Sequence, residues 1–169
     1  MVKTFRQLIL FLGLTALISG CGYTLARRNL VLQSGQTVDV KMFANRTYQP
    51  DIEAELRHAI VNELVARGEK VSSELSDFVI SGEITSLSAD ASAFSAIDQA
   101  SYYIVTVAVH AQLADRRSGK VLWKGAETIR QGYPANSNLA LQRNSHVAAV
   151  SAACATAARL LVIKMNQSF

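Results

Sequence analysis

The chain has 169 residues, half of them hydrophobic, with 17 Lys and Arg against 13 Asp and Glu and a formal net charge of +4. Two of the basic residues, Lys3 and Arg6, lie in an N-terminal segment that we predict to be removed, which leaves 15 basic residues against 13 acidic ones. This balance gives no concentrated basic footprint and therefore excludes a general nucleic-acid-binding role. The remaining ~150 residues suit one domain with one hydrophobic core.

Residues 1–20 have the layout of a secretory signal peptide. The apolar run Leu8–Ile18 follows a basic start and is too short to span a bilayer comfortably. The small residues Ser19 and Gly20 then precede Cys21, an order that resembles the bacterial lipobox. By this resemblance, the Cys21 thiol receives a diacylglycerol, cleavage occurs before Cys21, and the new amino group is acylated. The alternative that stays open is a single-pass anchor with a coincidental cysteine.

The residue after Cys21 and the second cysteine give two further indications. Bacterial lipoproteins with Asp in that position tend to stay at the inner membrane, so Gly22 favours the outer membrane, facing the periplasm. Each buried methylene stabilises a lipid anchor by about 0.8 kcal/mol, so several acyl chains hold a protein firmly. Because lipid occupies the thiol of Cys21, the other cysteine of the chain, Cys154 has no partner for a disulfide, and its alanine-rich surroundings predict a small buried thiol.

We predict a lipidated tether over residues 21–35 and a single domain over residues 36–169. The domain opens with apolar residues that alternate with polar ones, the pattern of a half-buried strand. These apolar residues are Val38, Val40 and Met42. A connecting loop over residues 44–50 follows, in which Asn45 is predicted to form an Asx-type turn.

The spacing then predicts a helix from Glu53 to Gly68. Acidic residues in its first turn complement the positive end of the helix dipole, and Gly68 is a natural C-cap. Apolar residues recur at every third or fourth position and form one stripe. They are Ile52, Leu56, Ala59, Ile60 and Leu64.

Three more strands are predicted after this helix. The second strand shows alternation at Phe78, Ile80, Gly82 and Ile84. The third strand runs from Tyr102 to Leu113, and its core-facing side is formed by Tyr103, Val105, Val107, Val109, Ala111 and Leu113. Residues 89–100, between these strands, are small and polar and are predicted to form a loop or a strand-edge excursion. A hairpin turn over Asp115–Lys120 leads into the fourth strand, which contains Trp123 and Ile129.

A long final helix completes the domain. Residues 136–138 provide its N-cap, and its apolar stripe consists of Val147, Val150, Cys154, Ala157 and Leu161. The element order is strand, helix, three strands, helix. We therefore predict an α+β fold with an antiparallel or mixed sheet of about four strands and both helices packed on one face.

The sequence contains no metal-binding signature and no complete phosphate-binding loop. His58, His110 and His146 are far apart in the chain, and no metal-binding signature is present. Ser118-Gly119-Lys120 lacks the upstream glycine of a phosphate-binding loop, and no helix follows it. We predict a protein that is not an enzyme and that needs no cofactor or metal, with a periplasmic hydrolase as the open alternative.

The predicted hairpin turn concentrates positive charge. Arg116, Arg117 and Lys120 lie close together in sequence at its tip. Guanidinium and ammonium groups in such a cluster could bind phosphate, and Arg can do so in bidentate fashion. The alternative is a solvated turn that its charges merely keep polar.

Several motifs resemble the LptE family of lipopolysaccharide-assembly lipoproteins. The chain reads Cys21-Gly22-Tyr23-Thr24-Leu25 after the lipobox, similar to the family opening C-G-[YW]-x-[LF]. The stretch Val38–Pro50 and the helix ending at Gly68 continue the match. The segment Asp115–Trp123 is similar to the family hairpin D-x-x-[ST]-G-x-[VL]-[LI]-W, and Tyr133-Pro134 also fits. The resemblance covers nearly all of the chain after Cys21.

The resemblance implies an outer-membrane lipoprotein, anchored on the periplasmic side, that sits as a plug in the large barrel LptD. It implies that the protein helps this barrel to assemble and to deliver lipopolysaccharide to the outer leaflet, without chemistry and without a cofactor. We expect Arg116, Arg117 and Lys120 to contact lipopolysaccharide phosphates. The alternative function is a lipoprotein activator or scaffold of another envelope complex, such as a peptidoglycan synthase.

Overall fold

The computed structural model describes residues 36–74, 76–96 and 99–168, which form six strands and two helices. The predicted signal peptide, Cys21 and the tether lie outside these residues. The elements, in chain order, are β1 (Thr37–Val40), β2 (Ala44–Asn45), α1 (Ile52–Ala66), β3 (Lys70–Val71), β4 (Phe78–Phe94), β5 (Ala100–Asp115), β6 (Val121–Pro134) and α2 (Leu139–Gln167).

All six strands join one mixed sheet in the order β3-β1-β4-β5-β6, with β2 also paired to β4. The β1, β2 and β3 pairings are parallel, whereas β4, β5 and β6 form an antiparallel meander. This confirms the predicted α+β class and mixed sheet. The strand count is six rather than about four, because β2 and β3 are two-residue strands too short to show a periodic pattern.

One face of the sheet carries the core, and both helices cover that face. The inward side chains of β5 are buried as predicted, with Val105, Val107, Val109 and Leu113 fully inaccessible. They join one cluster with the predicted stripe of α1 and with the inward residues of β4 and β6. The opposite side of the sheet, called the outer face below, has no helix over it in the described part of the chain.

Helix α1 begins and ends close to its predicted bounds. Its stripe is buried against the sheet and α2, and Arg57 Nε donates a 2.8 Å hydrogen bond to the Val40 carbonyl oxygen of β1. Gly68 has φ +84°, the left-handed conformation that a helix-ending glycine adopts without strain. The Asx turn at Asn45 is also confirmed, since its Oδ1 accepts from the Thr47 N–H at 2.8 Å.

Helix α2 packs over the core beside α1. Asn138 caps it by accepting from the Ala140 N–H at 2.9 Å, which confirms the predicted cap. By length and composition alone this 29-residue helix could cross a membrane. In the fold it is a core helix, because small residues such as Ala153, Ala157 and Ala158 are buried and let it approach its neighbours closely.

Three sequence predictions need correction. Residues 89–94 are strand rather than loop, so β4 extends to Phe94 and pairs with β5 almost to its turn. Met42 is 58% exposed because β1 ends at Val40, and Phe43 is buried in its place. Val147 is 53% exposed because it lines an open cleft of ≈ 400 Å³ between the start of α1 and the first turns of α2.

The two ends of the sheet carry different connections. The near end carries the β5–β6 turn, residues 115–120, and the far end carries the end of β4 and the start of β5. Chain direction places the start of β1 at the near end, because Val38 pairs with Phe78 at the start of β4. Helix α2 starts at the far end, directly after β6.

Candidate functional site

The β5–β6 turn at the near end is the candidate site, and its own side chains fix its shape. Asp115 Oδ1 accepts hydrogen bonds from Ser118 N–H at 2.7 Å and from Ser118 Oγ at 2.8 Å. Gly119 has φ +70°, as predicted, and its N–H donates to the Asp115 carbonyl oxygen at 2.9 Å. The turn is therefore held in one conformation although residues 116–120 are exposed.

These hydrogen bonds also lower the pKa of the Asp115 carboxyl. The donors on Ser118, backbone first and hydroxyl second, stabilise the ionised form and lower the pKa of Asp115 below 3.8. The nearby Arg117 charge acts in the same direction to a smaller extent. Asp115 is thus a charged structural residue of the turn at neutral pH.

Arg116 points back into the fold and serves to anchor the turn. Its guanidinium donates to Ser76 Oγ at 2.7 Å, and its Nη1 lies 3.8 Å from Asp39 Oδ2. Its backbone N–H also donates to the Asp77 carbonyl oxygen at 2.8 Å. These contacts tie the turn to the segment before β4 and to β1.

Asp39 is the buried acid at the centre of this anchor. It is 3% exposed, on the outer side of β1, and Lys41 Nζ lies 2.8 Å from its Oδ2. Two cations, Lys41 and Arg116, thus neutralise one carboxylate that is removed from water. A buried charge left without such partners costs several kcal/mol, which explains why Arg116 is held here.

Arg117 and Lys120 are the two cations of the turn that point outward. Both residues are exposed, and neither side chain forms a hydrogen bond or ion pair among the described residues. A cleft of ≈ 360 Å³ beside the turn is lined by Arg116, Arg117 and residues 76–78, among others. Its acidic residues are satisfied within the fold, since Asp77 Oδ2 accepts from Thr37 N–H at 2.9 Å. The turn can therefore offer two free cations to an anion.

The three histidines do not converge. His58 lies on α1, His110 lies on the outer face 4.0 Å from Glu83 Oε1, and His146 lies on α2. Among residues 36–74, 76–96 and 99–168, no group of three His, Cys, Asp or Glu side chains could hold a metal ion. The outer face does carry an open trough of ≈ 690 Å³ around Glu83, His110 and Lys124.

Sequence reasoning missed two polar contacts of the helix-covered face. Lys164 of α2 forms an ion pair with the buried Glu127 of β6. Tyr133 stacks on Tyr103 with ring centroids 5.5 Å apart, and its hydroxyl lies 3.2 Å from His146 Nδ1. Burial raises the pKa of Tyr133, with a smaller contribution from Tyr103. Only the pairing of strands and helix brings these residues together, so no local signal could have found them.

Cys154 has an unreactive thiol. Cys154 is fully buried on α2, as predicted, and burial raises the pKa of its thiol to about 12, with a smaller contribution from Glu55. The thiol stays protonated at physiological pH and is a poor nucleophile.

Fold and turn together define a small α+β domain of a kind found in bacterial lipoproteins. Rare lipoprotein B from Shewanella oneidensis is similar at TM-score 0.58 and 17% identity, with 79% of this chain and 96% of that one covered. A minor lipoprotein from Acinetobacter baumannii is similar at TM-score 0.53 and 11% identity, covering 78% and 91%. A Xanthomonas campestris protein reaches TM-score 0.59 at 14% identity, covering 79% and 85%. At these identities the likeness shows the fold.

The family follows from the sequence. The family model LptE, described as lipopolysaccharide-assembly, matches residues 35–165, most of the chain. The protein belongs to the LptE family, which is a family of non-enzymatic lipoproteins of outer-membrane biogenesis. A comparison with curated proteins gives no significant match.

Proposed function

We propose that this protein is an outer-membrane lipoprotein that partners an LptD-type barrel, supports its assembly and helps it deliver lipopolysaccharide to the outer leaflet. The observation that carries the proposal is the match of the LptE family model to residues 35–165. In this role the protein acts by binding and support, so that no covalent step and no cofactor are needed. Acylated Cys21 holds it on the periplasmic side of the membrane.

The near end provides the lipopolysaccharide contact in this proposal. Arg117 and Lys120 are exposed and lack partners among the described residues, so they can reach the phosphates of lipid A or the core. Arg116 differs from them because Ser76 and Asp39 hold its guanidinium. We therefore assign phosphate contact to Arg117 and Lys120, and assign to Arg116 the positioning of the turn that carries them.

Extraction in mild detergent, followed by purification of the full-length protein, tests the partnership. We expect a barrel protein to co-purify in stoichiometric amount. Co-purification of a peptidoglycan synthase in place of the barrel would support the scaffold alternative, and a monomer with hydrolytic turnover would support the hydrolase alternative. A Cys21→Ala variant should lose acylation and membrane fractionation, whereas an uncleaved, membrane-bound variant would indicate a single-pass anchor.

Binding of purified lipopolysaccharide tests the turn. The double variant Arg117→Gln/Lys120→Gln removes two charges at the near end, and we expect affinity to fall about thirtyfold, since each of the two charge-assisted hydrogen bonds to phosphate contributes roughly 1 kcal/mol. The double variant Lys124→Gln/Arg130→Gln is the matched control, because it removes two charges from the exposed side of β6. Equal affinity of both double variants would exclude a specific contact at the turn.

The anchoring role of Arg116 is tested by measuring the free energy of unfolding. Arg116→Gln leaves the buried Asp39 carboxylate with Lys41 as its remaining cation, so we expect the free energy of unfolding to fall by about 1–2 kcal/mol. Arg117→Gln is the neighbouring control and should leave stability within about 0.5 kcal/mol of the parent. Urea denaturation of both variants measures the difference, and an equal loss in both would contradict the assigned division of roles.

A further inference from the structure

The far part of β4 has an unpaired side. Segment Ser86–Phe94 pairs with β5 on one side. On its other side, β1 pairs with β4 up to Ile80, and β2 pairs with it up to Ile84. Within the described parts of the chain, no strand lies beside β4 beyond Ile84. We call the unpaired side of Ser86–Phe94 the free edge.

The direction of the backbone groups on the free edge follows from the bonds before it. The carbonyl oxygens of Ile80 and Ile84 accept from the N–H groups of Lys41 and Arg46, at 2.9 and 3.0 Å. Both carbonyls therefore point away from β5. In an antiparallel ladder, alternate residues direct both of their backbone groups to the same neighbour.

A bulge changes which residues point outward. The register with β5 shifts by one residue between Ile84 and Ser86. By the alternation of the ladder, the residues beyond this shift that direct their N–H and C=O groups toward the free edge are Leu87, Ala89 and Ala91. They form a regular row of donors and acceptors for one more strand.

The side chains of the segment leave this row accessible. All residues of Ser86–Phe94 are exposed except Leu87, which is half-buried. Most of them are Ser or Ala, so another backbone can approach closely. The segment contains no Lys and no Pro, the residues that commonly protect a sheet edge from pairing. The free edge is therefore ready to pair with a further strand.

The free edge is complementary to itself in its backbone. When two copies pair in antiparallel fashion about Ala89, this residue lies opposite its own counterpart, and Leu87 of each copy lies opposite Ala91 of the other. Among the symmetric registers, only this one pairs all three outward residues of one copy with all three of the other. The pairing forms about six main-chain hydrogen bonds, and it ends at Ala91, before the register shifts near Ala93.

The side chains of the sheet's outer face match in the same register. Ser88 of each copy lies opposite Asp90 of the other, so that two hydroxyl groups face two carboxylates. Within one strand, Ser88 Oγ already donates to Asp90 Oδ2 at 2.9 Å, so either hydroxyl can donate to either carboxylate. Asp90 is the only charged residue of the segment, so no like charges lie opposite each other.

Two exposed aromatic side chains lie where the copies meet. Beyond Ala91, the strand of one copy runs toward Ile84 of the other, beside which β2 ends. Phe94 follows on that strand with 63% exposure, and Tyr48, three residues after β2, is fully exposed. The pairing brings Phe94 of each copy toward Tyr48 of the other, and burial of aromatic surface stabilises association.

We propose that a second copy of this chain occupies the free edge, so that two copies form a symmetric dimer whose sheet is continuous through antiparallel β4 strands centred on Ala89. The free edge itself supplies what its occupant needs: outward backbone groups at matching spacing, small side chains at the two-fold axis and hydroxyls opposite carboxylates. A strand of another protein would have to provide each of these features independently. The dimer goes beyond the proposed function and does not depend on the barrel.

Cysteine cross-linking of the full-length protein in mild detergent tests the dimer and its register. Ala89→Cys places two thiols opposite each other with Cα atoms about 5.5 Å apart, within reach of a disulfide. Ala91→Cys is the matched control, because its two thiols are then about 13 Å apart along the strands. Cys154 is fully buried and does not compete.

Under mild oxidation with copper phenanthroline, we expect about ten times more disulfide-linked dimer from Ala89→Cys than from Ala91→Cys. Equal yields would indicate random collision and would overturn the inference. Absence of a linked dimer from Ala89→Cys would overturn it as well.

A charge substitution tests the contact on the outer face. Ser88→Asp places carboxylates opposite each other at two positions, so we expect the dissociation constant of the dimer to rise about tenfold. Ser86→Asp is the matched control, because it adds the same charge to the same face opposite the uncharged Ser92, and the constant should stay within about twofold. Sedimentation equilibrium in density-matched detergent measures both constants, and equal changes would overturn the proposed register.

Hydrogen exchange of the Leu87, Ala89 and Ala91 amides distinguishes the other occupants. We expect these amides to be protected at high protein concentration and to lose protection on dilution, since a paired amide exchanges only on opening. Protection that persists in the monomer would overturn the inference, because a segment of this chain would then cover the free edge.

The barrel provides a further comparison. Protection of these amides only in a complex with the co-purified barrel would assign the free edge to a foreign strand, which overturns the dimer and leaves the proposed function standing. If Ala89→Cys forms the linked dimer while no barrel co-purifies, the proposed function fails and the dimer stands.

Discussion

The two ends of the sheet are stabilised in different ways. At the near end, Asp115 and Ser118 hold the β5–β6 turn, and Arg116 ties it to the buried Asp39. At the far end, β4 stays paired with β5 although nearly all of Ser86–Phe94 is exposed and the register shifts near Ala93. Backbone pairing with β5, with Leu87 as the one side chain packed against the core, maintains the strand there. The near end thus has a shape set by side chains, whereas the far end has a shape set by its ladder.

This difference suits the two ends to different interactions, phosphate recognition at the near end and main-chain pairing at the far end. A fixed turn can present charges at constant positions, as recognition of phosphate requires. An exposed strand with one open side can accept any extended chain of suitable charge, because main-chain hydrogen bonding is largely independent of sequence. Matched substitutions at the two ends should therefore have unequal effects.

Truncation of a leucine at each end gives the largest contrast. Leu113 is fully buried between Ile80 and Trp123, so Leu113→Ala should lower the free energy of unfolding by about 3 kcal/mol through lost transfer energy and a cavity. Leu87 is half-buried on the far part of β4, so Leu87→Ala should cost about 1 kcal/mol. Urea denaturation of the unlipidated chain compares them, and similar losses would refute a weaker far end.

Glycine substitution on β6 tests the same contrast with a smaller effect. A Cβ on Gly125 would overlap the ring of Trp123, which is buried, so Gly125→Ala should cost about 1–3 kcal/mol by overpacking. A Cβ on Gly132 would overlap the ring of Tyr102, which is 41% exposed and can move aside. We expect Gly132→Ala to cost less than about 1 kcal/mol in thermal unfolding. A larger loss for Gly132→Ala would reverse the comparison.

The smallest effect is the pH dependence of the near-end turn. Because the folded-state pKa of Asp115 lies below its ordinary value of 3.8, its contribution to stability is fully present above the unfolded pKa. This contribution is lost as the pH falls through the folded pKa. Ser118→Ala removes the hydroxyl donor and keeps the backbone N–H, which has the larger effect on the pKa. The stability difference between this variant and the parent should therefore shrink below pH 3.8. A carboxyl titration by NMR should show a higher Asp115 pKa in the variant, and an unchanged pKa would contradict the assigned cause.

Much of the fold was predictable because burial leaves a periodic trace. Apolar residues recur at every second position of β5 and at every third or fourth position of α1, because each element buries one face. Residues 89–94 could not be recognised as strand because both of their faces are exposed, so that Ser and Ala carry no alternation. The position of β1 beside β4 was equally hidden, since parallel pairing depends on the crossover helix and not on any local pattern.

The candidate site was predictable in place but not in detail. The turn sequence, with Asp115, Ser118 and Gly119, indicates its conformation directly. The separate role of Arg116 depends on Asp39, which is distant in sequence and adjacent only after the sheet forms. Two consecutive arginines look alike in a sequence, and the tertiary structure distinguishes the anchored one from the free one.

The one-sided pairing of Ser86–Phe94 has a consequence for the evolution of this chain. Apart from Leu87, its residues touch little of the core, so substitutions at these positions change the stability of the fold only slightly. Such positions can drift with little selection for folding and can change in step with whatever binds them. We therefore expect related chains to vary most along the far part of β4 while they keep the same architecture, which would allow one scaffold to carry edges of different specificity.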